Sequence, residues 1–170
     1  MQHSFSNTKM NDLSQKNLNR RRKEYFDLIP DAPPPVSTET KRKIRFSEVD
    51  SLGIVWHGNY TTYFEDGRVD FGEKYGLEYL AMYRENFIAP IVRLEVDYVS
   101  PITFPEEITI KTIFHWSESV RMNFQYEITG SDERLVATGC TVQLLTNLKR
   151  EILLARPQML ETFYNKWMGH

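Results

Sequence analysis

Three stretches of one-for-one alternation constrain this chain more than any other feature. Val92, Leu94, Val96 and Tyr98 alternate with Arg93, Glu95 and Asp97. Ile108, Ile110, Thr112 and Phe114 alternate with Thr109, Lys111 and Ile113, and Val120, Met122, Phe124, Tyr126 and Ile128 with Arg121, Asn123, Gln125 and Glu127. A period of two puts every second side chain on one face of a strand, so each segment reads as a strand with one face covered. Gly130-Ser131-Asp132 supplies a hairpin turn into a fourth strand over Leu135 to Leu145. Successive strands joined by short turns form an antiparallel sheet.

One long helix precedes them. Tyr60, Tyr63, Phe64, Gly67 and Phe71 fall at i, i+3, i+4, i+7 and i+11, a single apolar stripe. Asn59 stands where an N-cap belongs. Gly67 inside the helix costs about 1 kcal/mol against alanine, which makes sense if something packs closely on that face. Lys41 to Phe46 reads as a strand before the helix, and Pro157 to Trp167 as a short helix at the end. The class is α+β, one helical stripe buried against one sheet face. Such sheets gain by pairing their edges in a dimer.

Upstream, Pro33-Pro34-Pro35 favours an extended linker. The expected division is therefore residues 1–37, a polar basic extension with its Pro-rich linker, and residues 38–170, the folded domain. Tyr25, Phe26, Leu28 and Ile29 are apolar enough to dock on that domain. Residues 1–45 carry 10 Lys/Arg against 5 Asp/Glu, and the remainder 11 against 18, within a net charge of -2. The cluster Arg20-Arg21-Arg22-Lys23 has no aromatic ladder around it and reads as a solvated tail, so no nucleic-acid partner is expected. The lone cysteine, Cys140, excludes an internal disulfide and a multi-cysteine zinc site; it reads as a buried inert thiol. No apolar run approaches the roughly 20 residues a membrane helix needs, so no stable membrane insertion is expected. The first residues lack a secretory pattern, and a cytoplasmic address is expected.

The densest stretch is Ile44 to Tyr60. Asp50 sits in a turn with Ser51 and Gly53, and the segment ends at the start of the helix, where unpaired amides can polarise a carbonyl. A carboxylate beside such amides can attack an acyl carbon or deliver water to it. Acidic turns before helices are common, so the residues alone favour a turn-capping role for Asp50 over a catalytic one.

The stretch RFSEVDSLGIVWHGNYTTYFEDGR, Arg45 to Arg68, resembles the signature of hot-dog-fold acyl-CoA thioesterases of the 4-hydroxybenzoyl-CoA and tol-pal-linked type. Asp50, Gly53, Ile54, Val55, Trp56, His57 and Tyr60 match its core, and Glu65 and Arg68 its following acid–arginine pair. Val96 to Thr112 is similar to the family's strand–proline–strand passage. The resemblance implies a hot-dog fold, a curved antiparallel sheet wrapped around one central helix, over about Lys41 to Pro157. It implies a thioester hydrolase releasing free coenzyme A and a carboxylic acid, with no metal and no cofactor, since coenzyme A is part of the substrate.

By the same resemblance Asp50 is the catalytic carboxylate, as nucleophile or general base, and the His57 amide the donor to the thioester oxygen. The His57 imidazole would touch substrate or orient Asp50. Gly53, Val55, Trp56, Gly58, Asn59 and Tyr60 would frame the substrate. Glu48 would be a second acid nearby. A homodimer, or a tetramer, is implied. The competing readings are a thioesterase for acyl groups on acyl carrier protein and a hot-dog module that binds acyl-CoA without turnover. Glu65 and Arg68 read as a helix-surface ion pair.

Overall fold

The computed structural model describes residues 23–169. Strand β1 (Val36–Lys43) leads through a 3-10 turn (Phe46–Glu48) and a loop into helix α1 (Asn59–Tyr75). Helix α2 (Tyr79–Arg84) and the two-residue strand β2 (Phe87–Ile88) follow. Then come β3 (Ile91–Tyr98), β4 (Glu107–His115), β5 (Arg121–Thr129), β6 (Leu135–Leu144), β7 (Thr146–Asn147) and helix α3 (Gln158–Met168). Five strands form one antiparallel sheet in the order β1-β4-β5-β6-β3, and β2 pairs with β7 in a separate ribbon.

Helix α1 lies on one face of this sheet, and the expected stripe is what it buries: Tyr60, Tyr63, Phe64, Gly67 and Phe71. The sheet answers with Ile108, Ile110, Thr112 and Phe114 of β4 and Met122, Phe124, Tyr126 and Ile128 of β5, every second residue of each. Two glycines set the spacing. A Cβ on Gly67 would stand 2.2 Å from Thr112 Oγ1, and one on Gly139 of β6 would stand 2.5 Å from the Phe64 ring and from the Glu95 carbonyl. Phe64 stacks on Tyr126 at 4.2 Å between centroids. Helix α3 closes the far end with Leu160, Phe163 and Tyr164.

Strand β1 departs from expectation. It runs Val36–Lys43 rather than Lys41 to Phe46, in register from Val36 opposite Phe114 to Lys43 opposite Glu107. Its helix-facing residues include Thr40, which donates to Asp70, and Arg42, which pairs with Asp66, both on α1. Polar residues on the covered face erase the alternation that marks the other strands. Helix α1 also differs at its start: the N-cap is Gly58, and Asn59 is already helical, its side-chain amide donating to the Glu48 carbonyl at 3.0 Å.

Residues 23–35 run over the sheet face away from α1. Lys23 pairs with Glu95 and Asp97 at 3.1 and 3.2 Å, and the Tyr25 hydroxyl donates to Asp97 at 2.5 Å. Tyr25 also lies 2.9 Å from the Thr138 hydroxyl, and Phe26 stands 5.1 Å from the His115 ring. Trp167 of α3 donates its indole N–H to the Pro34 carbonyl at 2.9 Å. Of the apolar residues expected to dock, Tyr25 is buried, whereas Leu28 remains exposed. Arg20, Arg21 and Arg22 of the basic cluster lie outside the described residues. Among the described residues no helix is long and apolar enough to cross a membrane, and no cluster of His, Cys, Asp and Glu could hold a metal ion.

Candidate active site

The loop between the 3-10 turn and α1 folds back on itself. The Asp50 amide donates to the Ile54 carbonyl at 2.9 Å, and the Gly53 amide returns to the Asp50 carbonyl at 3.0 Å. Gly53 takes a positive φ of 74°, which a side chain would strain. The Asp50 carboxylate accepts the Leu52 amide at 2.8 Å, an Asx turn that fixes its orientation and leaves its remaining lone pairs available. Val55 is buried and donates its amide to Ile102, while Ile54 bridges to Thr103, so the loop is anchored to the segment after β3.

The return limb enters the helix through Trp56, His57 and Gly58. Trp56 N–H donates to the Glu48 carbonyl and Asn59 N–H to the Trp56 carbonyl, both at 2.9 Å. The amides of His57 and Gly58 donate to no acceptor among the described residues. Two unpaired N–H groups at the start of a 17-residue helix lie where its partial positive charge is concentrated. A Cβ on Gly58 would stand 2.1 Å from the Trp56 ring, so a side chain there would require that exposed ring to move. Tyr98, at the end of β3, donates its hydroxyl to the His57 carbonyl at 3.0 Å and packs edge-on against Tyr60 at 4.9 Å.

The structure thus gathers Asp50, Gly53, Val55, Trp56, His57, Gly58, Asn59 and Tyr60 into one loop and one helix start. Their parts in it differ. Tyr60 is buried and Asn59 braces the loop, while Trp56 and His57 are exposed, their rings 5.1 Å apart. No hydrogen bond joins the His57 imidazole to Asp50, so within this chain the ring does not orient the carboxylate. Glu48 is not a free second acid. Burial alone would raise its carboxyl, but the Arg45 amide at 2.8 Å and the Arg42 guanidinium outweigh burial and hold it below the usual carboxylate range.

Arg68 corrects the reading of a helix-surface pair. Its side chain is 2% exposed, and it donates to the hydroxyls of Tyr79 at 2.9 Å and Tyr126 at 3.0 Å besides pairing with the half-exposed Glu65. Tyr126 passes the network to Thr141 at 2.7 Å. Tyr79 and Tyr98 carry contacts that no spacing in the sequence announced.

The matching family model, described as the thioesterase-like superfamily, covers residues 44–163. The chain belongs to that superfamily. The chain's structural neighbours are hot-dog thioesterases: a DHNA-CoA thioesterase from Staphylococcus aureus superimposes with a TM-score of 0.67 at 29% identity, covering 78% of this chain and 87% of that one. The hot-dog fold expected from the sequence is therefore the fold observed, and the relatives are named thioester hydrolases. The putative acyl-CoA thioesterase YneP of Bacillus subtilis is 30% identical over 70 residues, 41% of this chain and 51% of its own length, so the match spans about half of that relative. The chloroplastic acyl-acyl carrier protein thioesterase ATL3 of Arabidopsis thaliana is 24% identical over 71% of this chain and 65% of its own.

Proposed function

We propose that this hot-dog protein hydrolyses acyl-CoA thioesters, with Asp50 and the start of α1 as its reaction centre. The observation that carries the reading is the pair of unpaired amides, His57 and Gly58, on the loop whose other limb holds the Asp50 carboxylate. The amides would receive the thioester oxygen as charge builds on it. Asp50 would attack the carbonyl carbon or take a proton from the water that does. Water adds across the acyl–sulfur bond, giving the carboxylic acid and the thiol of coenzyme A. The thiol leaves readily because its pKa lies near 8.5, so the chemistry calls for no metal or added cofactor.

The active assembly we propose is a homodimer. Among the described residues β3 pairs only with β6, and Val92, Leu94 and Tyr98 are exposed along it. An unpaired edge lined with apolar side chains is a surface that a second copy would cover.

Thiol release from a panel of aliphatic and aromatic acyl-CoAs tests the proposal, with wild type and Asp50→Asn side by side and masses measured by light scattering. Turnover at least 100-fold lower in a folded Asp50→Asn dimer is the expected result. Equal turnover in the two proteins would remove Asp50 from the site. Binding of acyl-CoA without thiol release by either protein would point to a binding module, and release only from acyl carrier protein to the carrier-protein reading.

A further inference from the structure

Glu48 stands at a junction that neither the motif nor the proposed chemistry explains. Its main chain and its side chain do separate jobs. The Glu48 carbonyl accepts the Trp56 amide at 2.9 Å and the Asn59 side-chain amide at 3.0 Å, closing the loop between residues 48 and 59 into a ring. The Glu48 carboxylate accepts the Arg45 amide and pairs with Arg42 of β1, its side chain 12% exposed. Arg42 in turn pairs with Asp66 on α1 and lies 4.8 Å over the Tyr63 ring. One residue therefore couples the sheet edge, the 3-10 turn, both limbs of the Asp50 loop and the helix that follows.

The loop has little else to hold it. Ser51, Leu52, Gly53, Trp56 and His57 are exposed, and Val55 is its one buried side chain. Its remaining fixed points are the Val49–Val55 bridge and the Asp50 amide bond to the Ile54 carbonyl at the turn, the Ile54–Thr103 bridge, the Val55 bond to Ile102 and the Tyr98 bond to the His57 carbonyl. A largely buried carboxylate that lost Arg42 would be left partly uncompensated and would have to turn outward. The peptide whose carbonyl ties Trp56 and Asn59 would be free to turn with it.

Resting on the reading of Asp50 and the His57–Gly58 amides as the reaction centre, we infer that Glu48 is the positioning residue for that centre. Through the Arg42–Asp66 pair it sets the distance between the Asp50 limb and the amide limb. A group that reacts only in a near-attack geometry loses rate when such a spacing relaxes, while substrate binding spread over a larger surface is little changed.

The test uses the full chain, with Glu48→Gln, Arg42→Met and the charge-keeping Arg42→Lys. Hydrogen exchange is followed at the amides of Asp50, Gly53, Val55 and Trp56, with the amides of β5 as internal reference. Glu48→Gln and Arg42→Met should exchange at least tenfold faster in the loop with β5 unchanged, and Arg42→Lys, which keeps the charge but cannot fork to both carboxylates, should fall between Arg42→Met and wild type. Turnover should fall about 10- to 100-fold at a KM within threefold. Loop exchange within twofold of wild type in both would overturn the inference whatever the turnover, as would faster exchange at unchanged kcat. If either variant unfolds, Asp66→Asn, which leaves the Glu48–Arg42 pair intact, gives the same readout with a smaller expected acceleration. Unchanged turnover in Asp50→Asn would instead strike at the chemistry, and loop exchange would then decide alone whether Glu48 holds the loop.

Discussion

A missing methyl group at Gly139 decides how closely α1 approaches the sheet. Its position lies 2.5 Å from both the Phe64 ring and the Glu95 carbonyl, and the latter is backbone that cannot swing aside. Gly139→Ala should therefore cost about 1–3 kcal/mol by overpacking, lowering Tm by several degrees in a thermal melt. The sequence exposed Gly67 as a close-packing position because it interrupts a helical stripe. Gly139 sits in a strand whose residues Leu135 to Gln143 are all buried, so no local pattern set it apart. Asp50 was legible from its turn and motif. The tie from Tyr98 to His57 bridges 41 positions of chain, and such a contact leaves no periodic trace.

At the scale of elements, alternation located β4 and β5 to within a few residues because each packs one apolar face on α1; β3 alternates as well although Val92, Leu94 and Tyr98 are exposed, and β6, buried throughout, was placed by the hairpin turn before it. Strand β1 escaped it, since Thr40 and Arg42 face the helix and are satisfied by Asp70 and Asp66. Helix α2 and the β2–β7 ribbon are too short to show a period. Within α1 the two members of the acid–arginine pair have unequal weight. Arg68→Ala removes the donor to two tyrosine hydroxyls from a site that is 2% exposed, and should destabilise the fold by about 3 kcal/mol, the usual scale for breaking a buried charged network. Glu65→Ala, half exposed, should cost less than about 1 kcal/mol. Paired denaturant titrations measure the difference; equal losses would mean that Glu65 is the essential partner.

Across the whole molecule, residues 23–35 cover the sheet face that α1 leaves open, and His115 is held beneath them. Burial lowers its pKa from the ordinary 6.5, with Gln125 and Glu24 opposing the shift only in part. Phe26 packs against its ring and Trp116 follows it in the chain, so its charged form has little solvation in the folded state. The unfolded chain binds the proton first. This contribution to stability is therefore complete above about pH 6.5 and declines as pH falls toward the lower folded value. His115→Gln should lose that decline, so the Tm difference between wild type and variant should change between pH 8 and pH 5. A constant difference would mean that His115 binds its proton equally well in the folded and the unfolded chain.

The one cysteine of the chain lies on β6, opposite Glu95 of β3, fully buried, with burial raising its thiol pKa. A chromogenic disulfide reagent, which reports liberated coenzyme A by reacting with its sulfur, should meet no competing sulfur on the folded protein. The background absorbance of such an assay would become a gauge of integrity: a stoichiometric burst at time zero would count the molecules whose sheet had already come apart.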